Sequence, residues 1–87
     1  MISLKTLKNV GPKTIGWMQD VGIHTVEDLE ALGAAAAYIR LKNAFPHKVS
    51  LNALWGLQGA LLGIRWNQLP ETMKADLLAQ VEELESA

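Results

Sequence analysis

The side chains of this sequence best suited to binding a metal ion are its two histidines. His24 and His47 lie far apart in the chain, whereas two histidines that hold a metal from one helix face lie four positions apart. The sequence contains no cysteine that could supply a thiolate ligand. We therefore predict no metal site and no cofactor.

Acidic side chains offer the other route to catalysis, as a paired general acid and base. The candidates are Asp20, Glu27, Asp28 and Glu30. Glu27 and Asp28 follow Thr25, where acids are explained by their favourable interaction with the start of a helix. The other two are explained as exposed surface residues. Because no set of converging roles remains, we predict that the protein is not an enzyme and has neither a catalytic residue nor a small-molecule substrate.

Positive and negative residues are separated along the chain, although the net charge is only −1. Lys5, Lys8 and Lys13 precede every acidic residue, whereas five acids lie in the last seventeen positions. A basic first element can face a phosphate, but three lysines make a small footprint for a nucleic-acid-binding domain. Ordinary solvated lysines are the simpler explanation.

Turn and cap residues divide the sequence into six predicted helices. Asn and Gly tolerate the left-handed backbone of a turn, Pro fits the first position of a helix, and Thr and Ser accept hydrogen bonds from its first amides. The first predicted helix ends at Asn9–Gly11, and the second runs from Pro12 to Gly22. The third runs from Thr25 to Gly33 and the fourth from Ala34 to Ala44. The fifth begins after Ser50, and the sixth begins at Pro70.

Glycines and tryptophans of these helices predict how they pack. An interior Gly costs a helix ~1 kcal/mol relative to Ala, so the three glycines of the fifth helix indicate that another helix approaches too closely for a side chain. They are Gly56, Gly59 and Gly63. The three tryptophans, at apolar helical positions, are expected in the core. They are Trp17, Trp55 and Trp66.

These features together predict an all-α fold, in which residues 1–87 form one compact domain of five or six helices. Hydrophobic residues make up 49% of the 87 positions, enough for one modest core. The N-terminus lacks the apolar segment of a secretory signal, and the longest apolar stretch, Leu51 to Ile64, is too short and too polar to span a bilayer. We expect a cytoplasmic protein that makes no contact with a membrane.

The segment from Leu7 to Thr14 (LKNVGPKT) resembles the helix-hairpin-helix family of nucleic-acid-binding motifs. The resemblance implies that amides at the start of the second helix, with a nearby lysine, hold a phosphate of the backbone without reading sequence. The site residues that it implies are Lys8, Asn9, Val10, Gly11, Lys13 and Thr14.

Two positions depart from the helix-hairpin-helix pattern. Asn9 stands where that family has its first glycine, and Ile15 stands where a small residue often packs the two helices together. Asn can adopt the backbone angle that the turn requires, but its side chain is large enough to block the close approach of a phosphate. A hairpin that serves only to turn the chain is the alternative.

A longer resemblance covers almost the whole chain. Blocks in the same order resemble the C-terminal domain of the TfoX (Sxy) family of competence regulators: LKNVGPK from Leu7, VGIHTVEDLEAL from Val21, YIRLK from Tyr38, SLNALW from Ser50 and WNQLP from Trp66. Longer members of that family carry an α/β domain ahead of this one and regulate DNA uptake and competence genes. The resemblance implies a stand-alone member with a regulatory role.

Two functions of different classes follow. In the first, the hairpin binds a nucleic-acid backbone weakly, with a basic surface extended by Arg40, Lys42, His47, Lys48 and Arg65. In the second, the domain binds another protein or a second copy of itself, through the glycine-rich fifth helix or an exposed apolar patch. Steep weakening of binding by salt distinguishes the first function from the second.

Overall fold

The computed structural model describes residues 2–86. These residues form four α-helices, α1 Pro12–Asp20, α2 Val26–Ala44, α3 Leu51–Leu62 and α4 Glu71–Ser86. Two short turns of 3₁₀ helix, Leu4–Thr6 and Trp66–Gln68, precede α1 and α4. Strand-like pairing within residues 2–86 is limited to an isolated bridge between Ser3 and Thr25. The predicted all-α class is confirmed.

The first predicted helix is replaced by the Leu4–Thr6 turn, so the helix-hairpin-helix motif is not confirmed. The reason is a long-range contact that local sequence does not reveal. The Val26 amide donates to the Ile2 carbonyl at 3.0 Å, which holds the segment before the turn extended along the start of α2. Too few residues remain before the hairpin for an α-helix, which needs more than one turn to be stable.

The third and fourth predicted helices form one helical segment, α2, with a kink at Gly33. Gly33 has φ +80° and ψ +161°, outside the helical region, and the chain resumes its helix at the next residue. Glycine tolerates this backbone angle because it has no Cβ. The described residues therefore contain four α-helices, and the predicted count of five or six is not confirmed.

The start of α2 follows the sequence closely. Thr25 Oγ1 accepts a hydrogen bond from the Asp28 amide at 3.1 Å, and the Asp28 carboxylate accepts one from the Thr25 amide at 3.1 Å. This reciprocal pair is a capping box, which satisfies amides that the helix itself leaves without partners.

The core lies where α2 and α3 pack together, closed by α1 on one side and α4 on the other. Its fully buried side chains come from the Leu4–Thr6 turn, α1, the turn after α1, α2 and α3: Leu4, Met18, Ile23, Leu29, Leu41, Leu54 and Leu57. Ile15 is also buried. The small residue expected there is unnecessary, because no first helix packs closely against α1. No described helix is both long and apolar enough to cross a bilayer.

Candidate functional site

The hairpin before α1 turns at Asn9, whose backbone is left-handed with φ +67°. Its side chain bonds to the loop after α3. Asn9 Nδ2 donates to the Ile64 carbonyl at 2.7 Å, and Asn9 Oδ1 accepts from the Trp66 amide at 3.2 Å. The side chain is therefore held against the loop after α3 by two hydrogen bonds.

Two glycines of α3 make room for this contact. A Cβ on Gly59 would lie 2.8 Å from Asn9 Nδ2 and 2.9 Å from the Ile64 carbonyl oxygen, and one on Gly56 would lie 3.2 Å from the Asn9 carbonyl oxygen. The glycine pattern correctly indicated a close approach, but the approaching groups are the hairpin and a loop, not another helix. Gly63 instead ends α3 in the left-handed conformation.

The N-terminus of α1 is left open by its own sequence. Gly11 occupies the N-cap position and has no side chain to accept a hydrogen bond, and the first turn contains no acidic residue. The first backbone bond of the helix runs from the Ile15 amide to the Gly11 carbonyl at 3.0 Å. The amides of Lys13 and Thr14 consequently have no partner within residues 2–86. This end of the helix carries partial positive charge.

Gly11 is not required by the packing of the chain. Its φ of −84° and ψ of 172° are extended angles that any residue adopts. A Cβ added there would meet no atom within 4 Å. The absence of a side chain at this position therefore leaves space on the outside of the protein, directly in front of the open amides.

The structure brings the six predicted site residues together around one turn. Lys8, Asn9, Gly11 and Lys13 are exposed, and Val10 and Thr14 are half-buried. Lys13 belongs to the first turn of α1 and Lys8 precedes that helix by four residues, so both lysines are close in the chain to the unpaired amides. The surface around this turn is called the hairpin face below and consists of Lys8, Gly11, Lys13 and Thr14.

Only some of the more distant basic residues can extend this face. Lys42 Nζ donates to the Pro46 carbonyl at 3.0 Å and to the Val49 carbonyl at 2.6 Å, so it closes the end of α2. An Arg40 guanidinium nitrogen lies 3.4 Å from the Val21 carbonyl oxygen. Lys48 has no such partner, and it lines a cleft beside the hairpin.

That cleft has a volume of about 230 Å³ and lies between the hairpin, α1 and the start of α3. Asn9, Val10 and Thr14 form its side nearest the hairpin, while Lys48 and Asn52 form part of its opposite side. Sequence reasoning missed this cleft, because its two sides lie about 40 positions apart in the chain and neither motif indicates that the other lies beside it.

The loop that binds Asn9 also carries an exposed tryptophan. Trp66 is 46% exposed, as is Leu62 at the end of α3, so the expectation that Trp66 lies in the core is wrong. Trp17 and Trp55 do pack against the core. Trp66 is exposed because its backbone, and not its ring, is the part that packs against Gly59. Among residues 2–86, no three His, Asp or Glu side chains are grouped closely enough to hold a metal ion.

Two carboxylates at the start of α2 have lowered pKa values. The Ile2 amide donates to Glu27 at 3.0 Å, and this hydrogen bond is the main cause that lowers the pKa of Glu27. The His24 amide donates to Asp28 at 2.9 Å and likewise lowers the pKa of Asp28, with a further contribution from Thr25. Both acids accept hydrogen bonds from the backbone around the start of α2 and so help to hold the fold.

Comparisons with known proteins agree with this architecture. The sequence matches the family model of the TfoX C-terminal domain over residues 1–81. A crystal structure of an uncharacterised Listeria monocytogenes protein in a triclinic form is 32% identical, with a TM-score of 0.82 over 94% of this chain and 92% of that chain. A tetragonal crystal form of a Listeria monocytogenes protein of unknown function is 30% identical, with a TM-score of 0.83 over 94% of this chain and 99% of that chain. No curated protein matches the sequence. The chain therefore belongs to the TfoX C-terminal domain family.

Proposed function

We propose that this protein is a non-enzymatic regulatory module that binds the nucleic-acid backbone weakly, without sequence preference, through its hairpin face. The regulatory part follows from membership of the TfoX C-terminal domain family. The binding part is supported chiefly by one observation, the uncapped start of α1, where free amides face solvent and the Asn9 side chain is bonded to the loop after α3.

The chemistry of this face suits a phosphate. Free amides and the partial positive charge of a helix N-terminus attract an anion, and a phosphate oxygen accepts hydrogen bonds from such amides. Gly11 leaves space for a backbone to approach, and Lys8 and Lys13 add positive charge. These groups recognise phosphate and sugar, which carry no sequence information.

The small number of lysines determines the expected affinity. Each phosphate that a protein neutralises releases counterions from the nucleic acid, so the salt dependence of binding reports the number of contacts. Two lysines give a shallow but measurable dependence, with a slope of log affinity against log salt of roughly −2 for duplex DNA. Binding of this strength fits a module that acts together with another DNA-bound component.

The experiment is fluorescence anisotropy of a labelled DNA duplex at low and moderate salt. The test variant is Lys8→Gln with Lys13→Gln, and the matched control is Arg40→Gln with Lys74→Gln, which removes the same charge away from the hairpin. We expect the test variant to lose both affinity and salt dependence, while the control retains most of both. Equal losses in the two variants would show that net charge, and not the hairpin face, produces the binding.

A second candidate function is binding to a protein. It is favoured by the exposure of Leu62 and Trp66, two large apolar side chains near the end of α3. An apolar contact is less sensitive to salt than a phosphate contact. Sedimentation of the purified protein over a range of concentrations, with Trp66→Ser as the variant, tests the self-associating form of this function. A monomer at every concentration would exclude that form.

A further inference from the structure

The cleft beside the hairpin face contains polar side chains that the fold does not use. Thr14, Lys48, Ser50 and Asn52 all line it, and none of their side chains forms a hydrogen bond with another residue of the described chain 2–86. Thr14 is only half-exposed. No acidic residue lines the cleft. It therefore offers both donors and acceptors, next to one positive charge, to a group that comes from outside.

Another part of the cleft is apolar and aromatic. Trp17, Ala53 and Leu57 line it, and the Trp17 ring stacks on Phe45 with centroids 5.8 Å apart and planes at 28°. This stacking fixes the position of the indole. A site with an aromatic and aliphatic lining and several hydrogen-bonding groups matches the two parts of a nucleobase, its apolar faces and its polar edge.

The cleft and the hairpin face adjoin each other at Thr14. Thr14 belongs to both, since its free amide lies at the start of α1 and the residue lines the cleft. A strand whose phosphate sits at the start of α1 therefore has its adjoining nucleotide at the mouth of the cleft. The volume of about 230 Å³ is enough for one base.

We infer that the cleft holds one unpaired base of the strand whose phosphate lies on the hairpin face. This inference rests on the proposed backbone binding and specifies its ligand as single-stranded nucleic acid. A base within a duplex reaches such a cleft only by leaving its stack, which costs free energy. The protein therefore prefers a single strand to a duplex of the same length.

The test is anisotropy at low salt with a labelled oligothymidylate and with a duplex of equal length. The variant Ala53→Leu fills the cleft without changing charge, and Ala79→Leu makes the same change on the exposed face of α4. We expect the single strand to bind roughly tenfold more tightly than the duplex. Ala53→Leu should remove that difference while leaving duplex binding unchanged, and Ala79→Leu should have no effect. The exposed variant Asn52→Ala replaces Ala53→Leu if the latter fails to fold.

The possible outcomes separate this inference from the proposed function. The single strand and the duplex could bind equally well, with an affinity that Ala53→Leu does not change but the double lysine variant loses. That result would overturn the base site in the cleft and leave the proposed phosphate binding by the hairpin face intact. If no oligonucleotide binds at low salt, the proposed function fails. Changes in amide NMR chemical shifts on adding thymidine monophosphate then test whether the cleft binds a base. Shifts at Thr14, Asn52 and Ala53 would support a base site, and their absence would overturn it.

Discussion

The helices α1 and α2 begin in opposite ways, although only a short turn separates them. At α2, Thr25 and Asp28 form a capping box, and Glu27 holds the Ile2 amide. At α1, Gly11 provides no cap, and no acid lies in the first turn. The chain thus stabilises one helix start with three of its own side chains and leaves the other to solvent.

This difference shows where the fold forgoes available stability. Replacing a capping side chain by Gly typically costs a few tenths of a kcal/mol, so Ser, Asp or Asn at position 11 would add about that much stability. A sequence that caps one helix with side chains and leaves another helix without such a cap indicates that the uncapped end serves something besides folding. The open start of α1 is such a place, and its surroundings suit an anion.

We expect the largest loss of stability when the contact between Asn9 and the loop after α3 is removed, since this contact holds the hairpin before α1 in place. Asn9→Ala removes two side-chain hydrogen bonds and puts Ala in a left-handed backbone, so we expect a loss of about 2–3 kcal/mol in the free energy of unfolding. Asn9→Gly keeps the backbone angle and should lose about half as much. Urea denaturation of both variants measures the losses. Equal losses would mean that the hydrogen bonds, and not the backbone angle, account for the whole effect.

A smaller effect is expected at the closed start of α2. Thr25→Ala removes the acceptor for the Asp28 amide and should lower the free energy of unfolding by about 1 kcal/mol. Because this residue does not line the hairpin face, DNA binding by the folded variant should not change. A variant that keeps wild-type stability in urea would show that the capping box contributes little, and the contrast between the two helix starts would then lose its energetic basis.

The pH dependence of stability sharpens the same contrast. The pKa values of Glu27 and Asp28 are lowered by hydrogen bonds in the folded state, so both carboxylates stabilise the fold above their unfolded values of about 4. That stability is lost as pH falls through the lower folded values. Urea midpoints between about pH 6 and about pH 3 should fall less for Asp28→Asn than for the natural chain. Identical acid sensitivity in the two chains would contradict this.

Local signals in the sequence predicted the elements, whereas contacts between distant segments determined what they form. Pro12 and Thr25 act within a few residues of themselves, so the starts of α1 and α2 were predictable. The loss of the first helix was not, because it depends on Ile2 meeting Val26. The break at Gly33 was predictable from the sequence, and the structure has non-helical backbone there with helix on both sides.

The candidate site shows the same division. Its six residues are consecutive or nearly so, and a family resemblance was enough to select them. The role of Asn9 was not predictable, because its partners Ile64 and Trp66 lie 55 and 57 positions away. The spacing of Gly56 and Gly59 did signal a close approach, without identifying the hairpin as the partner.

Gly11 provides the most direct test of the claim that the start of α1 is kept open for an external anion. Gly11→Ala adds a Cβ that meets nothing within the protein, so its free energy of unfolding should fall by no more than about 1 kcal/mol, because Ala is a poorer N-cap than Gly. Gly11→Asp should equal or exceed the natural stability, because it caps the helix and places a negative charge at its positive end.

Binding of labelled single-stranded and duplex DNA to these two variants, measured at low salt beside their urea curves, is the measurement to make. The account predicts that both variants fold normally while affinity falls roughly tenfold for Gly11→Ala and further for Gly11→Asp. Undiminished binding by a folded Gly11→Asp variant would contradict it, because a phosphate cannot share that helix start with a carboxylate.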